Sequence, residues 1–342
     1  MSYFITGGTG FIGRHLIQKL LARPGTIHVL VRKSSKDKFD ALLAQMGFDP
    51  KRVVAVYGDL GKPRLGLSPT QVKQLAGKVK HLFHLAAIYD LTADEESQIR
   101  ANVDGTKHAM QLGVAVKAGC FHHVSSIAAA GLYPGVFKED MFDEAEGLDD
   151  PYFRTKHDSE GMVRREYPRP YRIYRPAIVL GHSQTGEIDK IDGPYYFFRL
   201  IKRMRALLPQ WVPTIGIEGS RLNMVPVDYV ADAMDWIAHK PGLDGHCFHL
   251  TDPAPQRVGE ALNTFARAAN APQMTMRVDA RMFAFVPPMV RGAIFNLPPV
   301  KRFTNMMLRD LGIPRQVLKY INYPTRFDSR ETERALKGSK IK

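Results

Sequence analysis

Short apolar runs alternate with stretches in which apolar residues recur every three or four positions, and this rhythm holds to about residue 180. Tyr3, Phe4 and Ile5 read as a short buried strand, and Phe11, Ile12, Leu16, Ile17, Leu20 and Leu21 carry the helical spacing that follows. Pro24-Gly25 stops that helix, and Thr26 to Val31 (TIHVLV) reads as a second buried strand. Further strands are predicted over Arg52–Tyr57, His81–Leu85, Phe121–Val124 and Arg172–Leu180. Helical stretches separate them, among them a long one from about Ala93 to Lys117 and one opening at Tyr152. Strands alternating with helices predict a doubly wound, parallel α/β sheet. Pro176, inside the last run, suggests an edge or bulged strand there.

Beyond Gly181 the rhythm breaks. His182 to Tyr196 is polar and glycine-bearing, a candidate mobile loop over a crevice, and the amphipathic stretch Phe197 to Leu208 follows. A further helix is expected over Tyr229–His239, and from Met274 to Met307 the chain is rich in Met and Phe. The reading is therefore a core domain over residues 1–180 and a mainly substrate-binding region over 181–342, with some segments returning to the core sheet.

Between the first strand and first helix lies Thr6-Gly7-Gly8-Thr9-Gly10-Phe11-Ile12-Gly13. A strand, a glycine turn and a helix start in this order form a dinucleotide site of the Rossmann type. Gly7 permits the tight turn, Gly10 lets the backbone approach a pyrophosphate, and Gly13 lets the helix pack closely on the strand. The free N–H groups near Gly10, Phe11 and Ile12 face the phosphates at the positive end of the helix dipole. The second strand ends Arg32-Lys33-Ser34, with no carboxylate before Asp37. A basic residue at this point accommodates a ribose 2′-phosphate, so the cofactor expected is NADPH. Asp59-Leu60, Ala86-Ala87 and Ser125-Ser126 stand at the carboxyl ends of later strands, where ligands bind in open α/β sheets.

Tyr152 and Lys156 are four apart on one helix face, behind the glycine turn and downstream of Ser126. Hydride transfer to a carbonyl needs a group that polarises the oxygen and a proton donor of suitable pKa. Ser126 fits the first role, with Ser125 as the alternative, Tyr152 fits the second, and the Lys156 ammonium would lower the tyrosine pKa and hold the ribose. Asn102, placed mid-helix against its local preference, reads as a structural buttress. The acidic stretch Glu139 to Asp150 reads as a solvated surface loop. No metal-ligand spacing, acyl-enzyme cysteine or Gly-x-Ser-x-Gly elbow is present.

Composition narrows the setting. With 44% hydrophobic and 24% charged residues the chain reads as folded and soluble. Its two cysteines, Cys120 and Cys247, are too few for a disulfide framework and suit a reducing cytoplasm, and no signal peptide precedes the first strand. Met282 to Val300 is broken by Pro287, Pro288, Arg291, Pro298 and Pro299 and reads as no membrane span. Net charge is +14, and residues 253–342 hold 16 Lys/Arg against 6 Asp/Glu. That excess suits polyanionic partners such as a phosphorylated substrate or an anionic membrane surface. Scattered basic residues without patterned aromatics argue against nucleic acid.

Taken together, the glycine turn, Asn102-Val103-Asp104-Gly105-Thr106, Ser125-Ser126, Tyr152 to Lys156 and Arg175-Pro176 resemble the extended short-chain dehydrogenase/reductases. The resemblance spans about Met1 to Asp235. It implies that Asp59 and Leu60 flank the adenine and that Ala86 and Ala87 line the cofactor path. It also implies that the chain after Pro176, from Ala177 through Ile178 to Val179, meets the nicotinamide amide. Ser126, five residues before Gly131, becomes the catalytic serine. A narrower likeness rests on His122 to Tyr133, Asp192 to Phe198 and Asn322 to Asp328. These resemble the N-terminal half of bacterial alcohol-forming fatty acyl-CoA reductases, and the likeness then covers nearly the whole chain. It implies NADPH, a long-chain fatty aldehyde or acyl-CoA as substrate, a fatty alcohol as product, and a second reductase domain that this chain lacks. In that light the Met/Phe-rich stretch, Met282 to Phe295 above all, is an expected acyl-chain tunnel. Pairing of helices beside Asn102 and Tyr152 would make a homo-oligomer. Two alternatives remain: an NAD-dependent sugar-nucleotide epimerase or dehydratase, against which Arg32 counts, and a dinucleotide sensor without catalysis.

Overall fold

The computed structural model describes residues 2–88, 94–189, 193–279 and 322–341. The chain forms two compact units, the first comprising Met1–Ile188, Met224–Pro253 and Phe327–Lys342, the second Asp189–Asn223 and Ala254–Arg326.

The first unit opens with β1 (Ser2–Thr6), α1 (Phe11–Leu20), β2 (Thr26–Val31), α2 (Lys36–Met46), β3 (Val53–Tyr57), α3 (Pro69–Leu75) and β4 (Val79–His84). Then come α4 (Glu95–Gln98), a π-helix (Ile99–Asp104), α5 (Gly105–Ala115), β5 (Cys120–Val124), β6 (Gly135–Phe137), α6 (Pro151–Glu166), β7 (Tyr171–Pro176) and β8 (Ile178–Leu180). After α7 (Phe198–Leu207) and β9 (Thr214–Glu218) of the second unit, the chain returns to the first with β10 (Met224–Pro226), α8 (Val227–His239) and β11 (Cys247–Leu250). The second unit resumes with α9 (Val258–Ala268) and β12 (Met274–Asp279), and α10 (Arg330–Leu336) lies in the first.

Seven parallel strands form the main sheet in the order β11-β7-β5-β4-β1-β2-β3, the expected doubly wound Rossmann architecture. Successive side chains of a strand leave on opposite faces, and here both faces are apolar. Tyr3, Ile5, Val29, Phe83, Val124 and Tyr174 join Leu16, Ile17 and Leu20 of α1 and Val230, Met234 and Ile237 of α8 in one core. Phe4, Leu82, Phe121 and Ile173 point the other way, onto Ala109, Met110 and Leu112 of α5 and Val163 of α6. Burial on both sides is why Tyr3-Phe4-Ile5 of β1 reads as an unbroken apolar run, while β5 and β7 carry the buried polar residues His122, His123, Arg172 and Arg175 within theirs.

Three expectations are corrected. The run 172–180 is not one edge strand: β7 lies between β5 and β11, and Pro176 is its last residue, after which β8 pairs with β10 in a separate two-stranded sheet. The proline's missing N–H falls where the chain leaves the ladder, so an interior strand tolerates it. Secondly, the long helix is interrupted by a π segment centred on Asn102. That side chain accepts from Ile88 N at 2.8 Å, donates to Ile88 O at 3.0 Å and donates to Thr155 Oγ1 at 3.1 Å. It buttresses two neighbours at once, and the local widening of the helix lets it do so. Thirdly, the acidic stretch is not simply solvated. Glu139 is buried and accepts from the backbone of His249, Glu331 and Thr332, and Phe142 stacks on His157 with ring centres 4.1 Å apart.

The polar segment after Gly181 is held in its first part. Ser183 bonds Asp228 through both its N–H and its hydroxyl, and Glu187 pairs with Arg14 at 2.8 Å. In the second unit α7 and α9 pack through Ile201, Phe265 and Ala266. The expected tunnel residues Met282–Phe295 lie outside the described residues.

Candidate active site

All the strand ends singled out by sequence face one way, because the sheet is wholly parallel. The carboxyl ends of β7, β5, β4, β1 and β2 stand side by side, and the crevice they border is where open α/β sheets bind ligands.

At the end of β1, Gly7 has φ +71°, a left-handed conformation that a side chain would strain. Gly10 N donates to Gly7 O at 3.0 Å and closes the turn. A methyl group at Gly13 would lie 2.2 Å from that same carbonyl, so only glycine lets α1 sit this close to β1. Gly10 is the N-cap of α1 with no side-chain cap, and the first turn carries no acid. The N–H groups of Phe11 and Ile12 therefore begin a helix that no protein side chain closes, and Thr9 sits exposed in the turn before them. A bare helix start behind a glycine cradle fits the pyrophosphate of a dinucleotide.

Neighbouring strand ends complete this wall. Ala86 N donates to Thr6 Oγ1 at 3.2 Å, which brings Ala86-Ala87 beside the glycine turn. Gly58 N donates to Val31 O at 3.1 Å, joining the ends of β2 and β3. Arg32, Lys33 and Ser34 are exposed just past β2. Asp59 turns partly into its own loop, accepting from Gly61 N at 3.0 Å, and the Leu60 side chain lies against Gly105 of α5. On the opposite side Ser125 N donates to Tyr174 O at 2.8 Å, so the two serines stand beside Pro176 and the start of Ile178-Val179.

The two serines have different surroundings. Ser125 is buried, and its hydroxyl donates to Glu160 Oε2 at 2.7 Å. Ser126 is only half-buried, and its Oγ accepts from Ala128 N at 3.1 Å. Helix α6 is docked on this strand end by two bonds, Lys156 Nζ to Val124 O at 3.2 Å and His157 Nδ1 with Ala129 O at 3.0 Å. Asp150 caps the helix by accepting from Tyr152 N at 3.0 Å, which fixes the backbone of Tyr152 in the first turn. Ser126, Tyr152 and Lys156 are thus gathered on one strand end and the helix docked against it.

Burial dominates the electrostatics of Lys156. Loss of solvent pushes its pKa down to about 8, and the Glu160 carboxylate one turn along works against that fall. Glu160 is itself fully buried. Arg175, also fully buried, donates to it through Nε at 3.0 Å and through Nη2 at 2.6 Å, and Arg164 donates at 2.8 Å. Burial alone would raise the Glu160 pKa, but these guanidinium groups hold it well below the usual carboxylate range. Arg175 also pairs with His249 Nε2 at 3.0 Å and donates to Met141 O at 2.9 Å. Glu160, Arg175 and His249 were not among the sequence-derived candidates. The available signal was that Glu160 continues the Tyr152–Lys156 face by another four residues.

The sequence profile described as male sterility protein, an NAD-binding domain, matches residues 5–234, well over half of the chain. The chain belongs to this family. A non-canonical nonribosomal peptide synthetase, FrzA of Cladobotryum sp, is 29% identical over 98% of this chain and 34% of its own length. The aldehyde reductase lnbA of Aspergillus flavus is 29% identical over 73% of this chain and 26% of its own. Among solved structures, the terminal R domain from the myxalamid PKS-NRPS biosynthetic pathway superposes with a TM-score of 0.77. It is 25% identical, with 99% of this chain and 85% of that one covered. The chain spans about a third or less of the length of these curated relatives. NAD(P) binding follows from the family, and the glycine turn, the serine pair, Tyr152, Lys156, Glu160 and Arg175 all lie within the matched segment.

Proposed function

We propose that this chain is an NADPH-dependent reductase that converts a long-chain fatty aldehyde to the alcohol, with the corresponding acyl-CoA, which needs two hydrides and releases the CoA thiol, as a second candidate substrate. The observation that carries the reading is the docking of α6 on the end of β5 through Lys156 and His157, which puts the helix of Tyr152 and Lys156 against the strand end that carries Ser126. A relative named as an aldehyde reductase and a fold relative named as a terminal R domain support reduction as the chemistry. The exposed Arg32 and Lys33 past β2 support a 2′-phosphate, and the long apolar substrate rests on the sequence resemblance and the Met/Phe-rich stretch.

A bound reduced nicotinamide supplies the hydride. The Ser126 hydroxyl donates a hydrogen bond to the substrate carbonyl oxygen and draws charge onto it. Tyr152 gives its phenolic proton to that oxygen as the alkoxide forms, and the carbonyl becomes a primary alcohol. Lys156, held by Val124 O, stabilises the resulting phenolate and orients the ribose. Arg175 and Glu160 keep α6 and the serine pair in register while this happens.

The test is absorbance-monitored oxidation of NADPH with a long-chain aldehyde and its acyl-CoA in parallel, each repeated with NADH. Turnover with aldehyde that falls at least about 100-fold in Tyr152→Phe supports the reading. Equal turnover with NADH removes the cofactor assignment, and inertness towards both substrates with intact NADPH binding removes the substrate.

A further inference from the structure

In the second unit, α7 carries an outward stripe of cations. Arg199, Lys202, Arg203 and Arg205 are all exposed, and among the described residues none of the four makes an ion pair or side-chain hydrogen bond. Spacings of three and four place Arg199, Lys202 and Arg203 on one face, where like charges repel and weaken a helix. Some exposed helical cations elsewhere meet an acid, as in Lys36–Asp40, Arg100–Glu96 and Arg334–Glu331, and others such as Lys38, Lys73 and Lys107 stand singly; α7 differs in gathering four on one short helix. Among the described residues the stripe on α7 has no such relief.

The inner face of the same helix is accounted for. Ile201 is buried with Ala266 and Ala271, and Phe198 stands edge-on to Phe265 with ring centres 5.2 Å apart. The outer face ends in apolar side chains that touch little. Residues 205–211 are exposed without interruption, Leu207 at 71% and Trp211 at 80% of their free surface. A solvent-facing tryptophan and leucine beside four unpaired cations is not how a helix settles against water.

We propose that α7 and the turn after it, through Leu207, Leu208 and Trp211, form a membrane-surface contact that binds anionic lipid. The cations would meet lipid phosphates, and the apolar tip would enter the headgroup boundary, where the indole ring is favoured. The exposed apolar residues decide against a nucleic acid or an acidic protein. A nucleic acid offers the leucines no apolar bed, and an acidic protein surface would meet the cations but leave Leu207 and Trp211 in water, whereas an anionic bilayer receives both. Charge and apolar exposure occur together on one helix end, which is what an interfacial anchor needs.

The full chain is mixed with vesicles of pure phosphatidylcholine, or with about a third phosphatidylserine included, and binding is read by flotation and by intrinsic fluorescence. The chain has two tryptophans, and Trp236 donates its N–H to Ala335 O inside the first unit, so a vesicle-induced blue shift reports Trp211. Flotation confined to anionic vesicles, weakening as salt rises, with a blue shift that Trp211→Phe abolishes, supports the proposal. Lys202→Ala combined with Arg203→Ala should lower vesicle affinity about 25-fold, roughly fivefold for each charge. Failure to float on anionic vesicles overturns it, as does equal flotation on neutral ones. So does binding to polyglutamate with no fluorescence shift on vesicles, which would assign the stripe to an acidic protein. The assay uses neither NADPH nor aldehyde, so its outcome is independent of the reductase reading.

Discussion

Ser125 donates its hydroxyl to Glu160 at 2.7 Å, inside the core, while the serine next to it is only half-buried and accepts from Ala128 N. One residue of offset therefore separates a structural hydroxyl from a candidate reactive one. Ser126→Ala should lower kcat/KM for the aldehyde by about 100-fold with little change in melting temperature. Ser125→Ala should do the reverse, keeping activity within a few fold and costing about 1–3 kcal/mol for the hydrogen bond lost at a buried carboxylate. Steady-state kinetics and thermal melts on the two variants separate these outcomes, and matching losses of activity would contradict the division of roles.

Lys156 sets a pH limit. Its pKa in the fold is about 8, below the ordinary 10.5, because burial disfavours the ammonium. A mechanism that needs the ammonium loses rate as pH rises through about 8, so kcat/KM should fall above that point. The stability effect runs oppositely: the buried charge weakens the fold below about 8, and this penalty disappears as pH climbs towards 10.5. Since Glu160 opposes the depression, Glu160→Gln should move the kinetic limb to lower pH. It should also cost about 3–5 kcal/mol, because Arg175 is left buried without its partner. A limb that stays in place in the variant would show that Glu160 does not tune Lys156.

Cofactor choice should follow the end of β2. Arg32→Glu places a carboxylate where a 2′-phosphate is expected and a free 2′-hydroxyl could be bound instead. The ratio of kcat/KM for NADPH over NADH should drop at least about tenfold. A ratio unchanged within twofold would transfer the assignment to other residues.

Acid should unfold this protein early. Burial pushes His81, His123 and His249 down to about 3, from an ordinary 6.5. The unfolded chain takes up protons near 6.5 and the fold does not, so the stability present above 6.5 is lost as pH falls towards 3. Each histidine contributes up to about 1.4 kcal/mol of loss for every pH unit in that window. Melting temperature should therefore fall by several degrees between pH 7.5 and pH 5. A flat profile would mean that these imidazoles find partners in the fold when protonated.

Much of the first unit was legible because parallel strands buried on both faces write themselves as apolar runs, and the glycine turn marks where the first of them stops. The rest depended on partners distant in sequence. Strand β11, Cys-Phe-His-Leu, is only four residues long and carries a histidine, so nothing local separates it from a loop. The interior position of β7 became visible only once β11 lay beside it. Glu139 and Glu160 are acids that composition assigns to the surface, and each is buried because of groups supplied from elsewhere: backbone N–H groups of His249, Glu331 and Thr332 for one, Arg175 for the other. At the serine pair the spacing gave both residues, and only packing gave them different tasks.

The return of β11 to the edge of β7 bears on how the chain acquires its shape during synthesis. Arg175 emerges from the ribosome 74 residues ahead of His249, its ring partner in the finished core. Until that length has been made, β7 is an open edge carrying a guanidinium destined for burial, and the sheet is one strand short. The nascent chain therefore carries all the other strands of the main sheet before β11 exists. A fragment ending near residue 188 should bind a dinucleotide poorly and expose β7 to pairing with other chains.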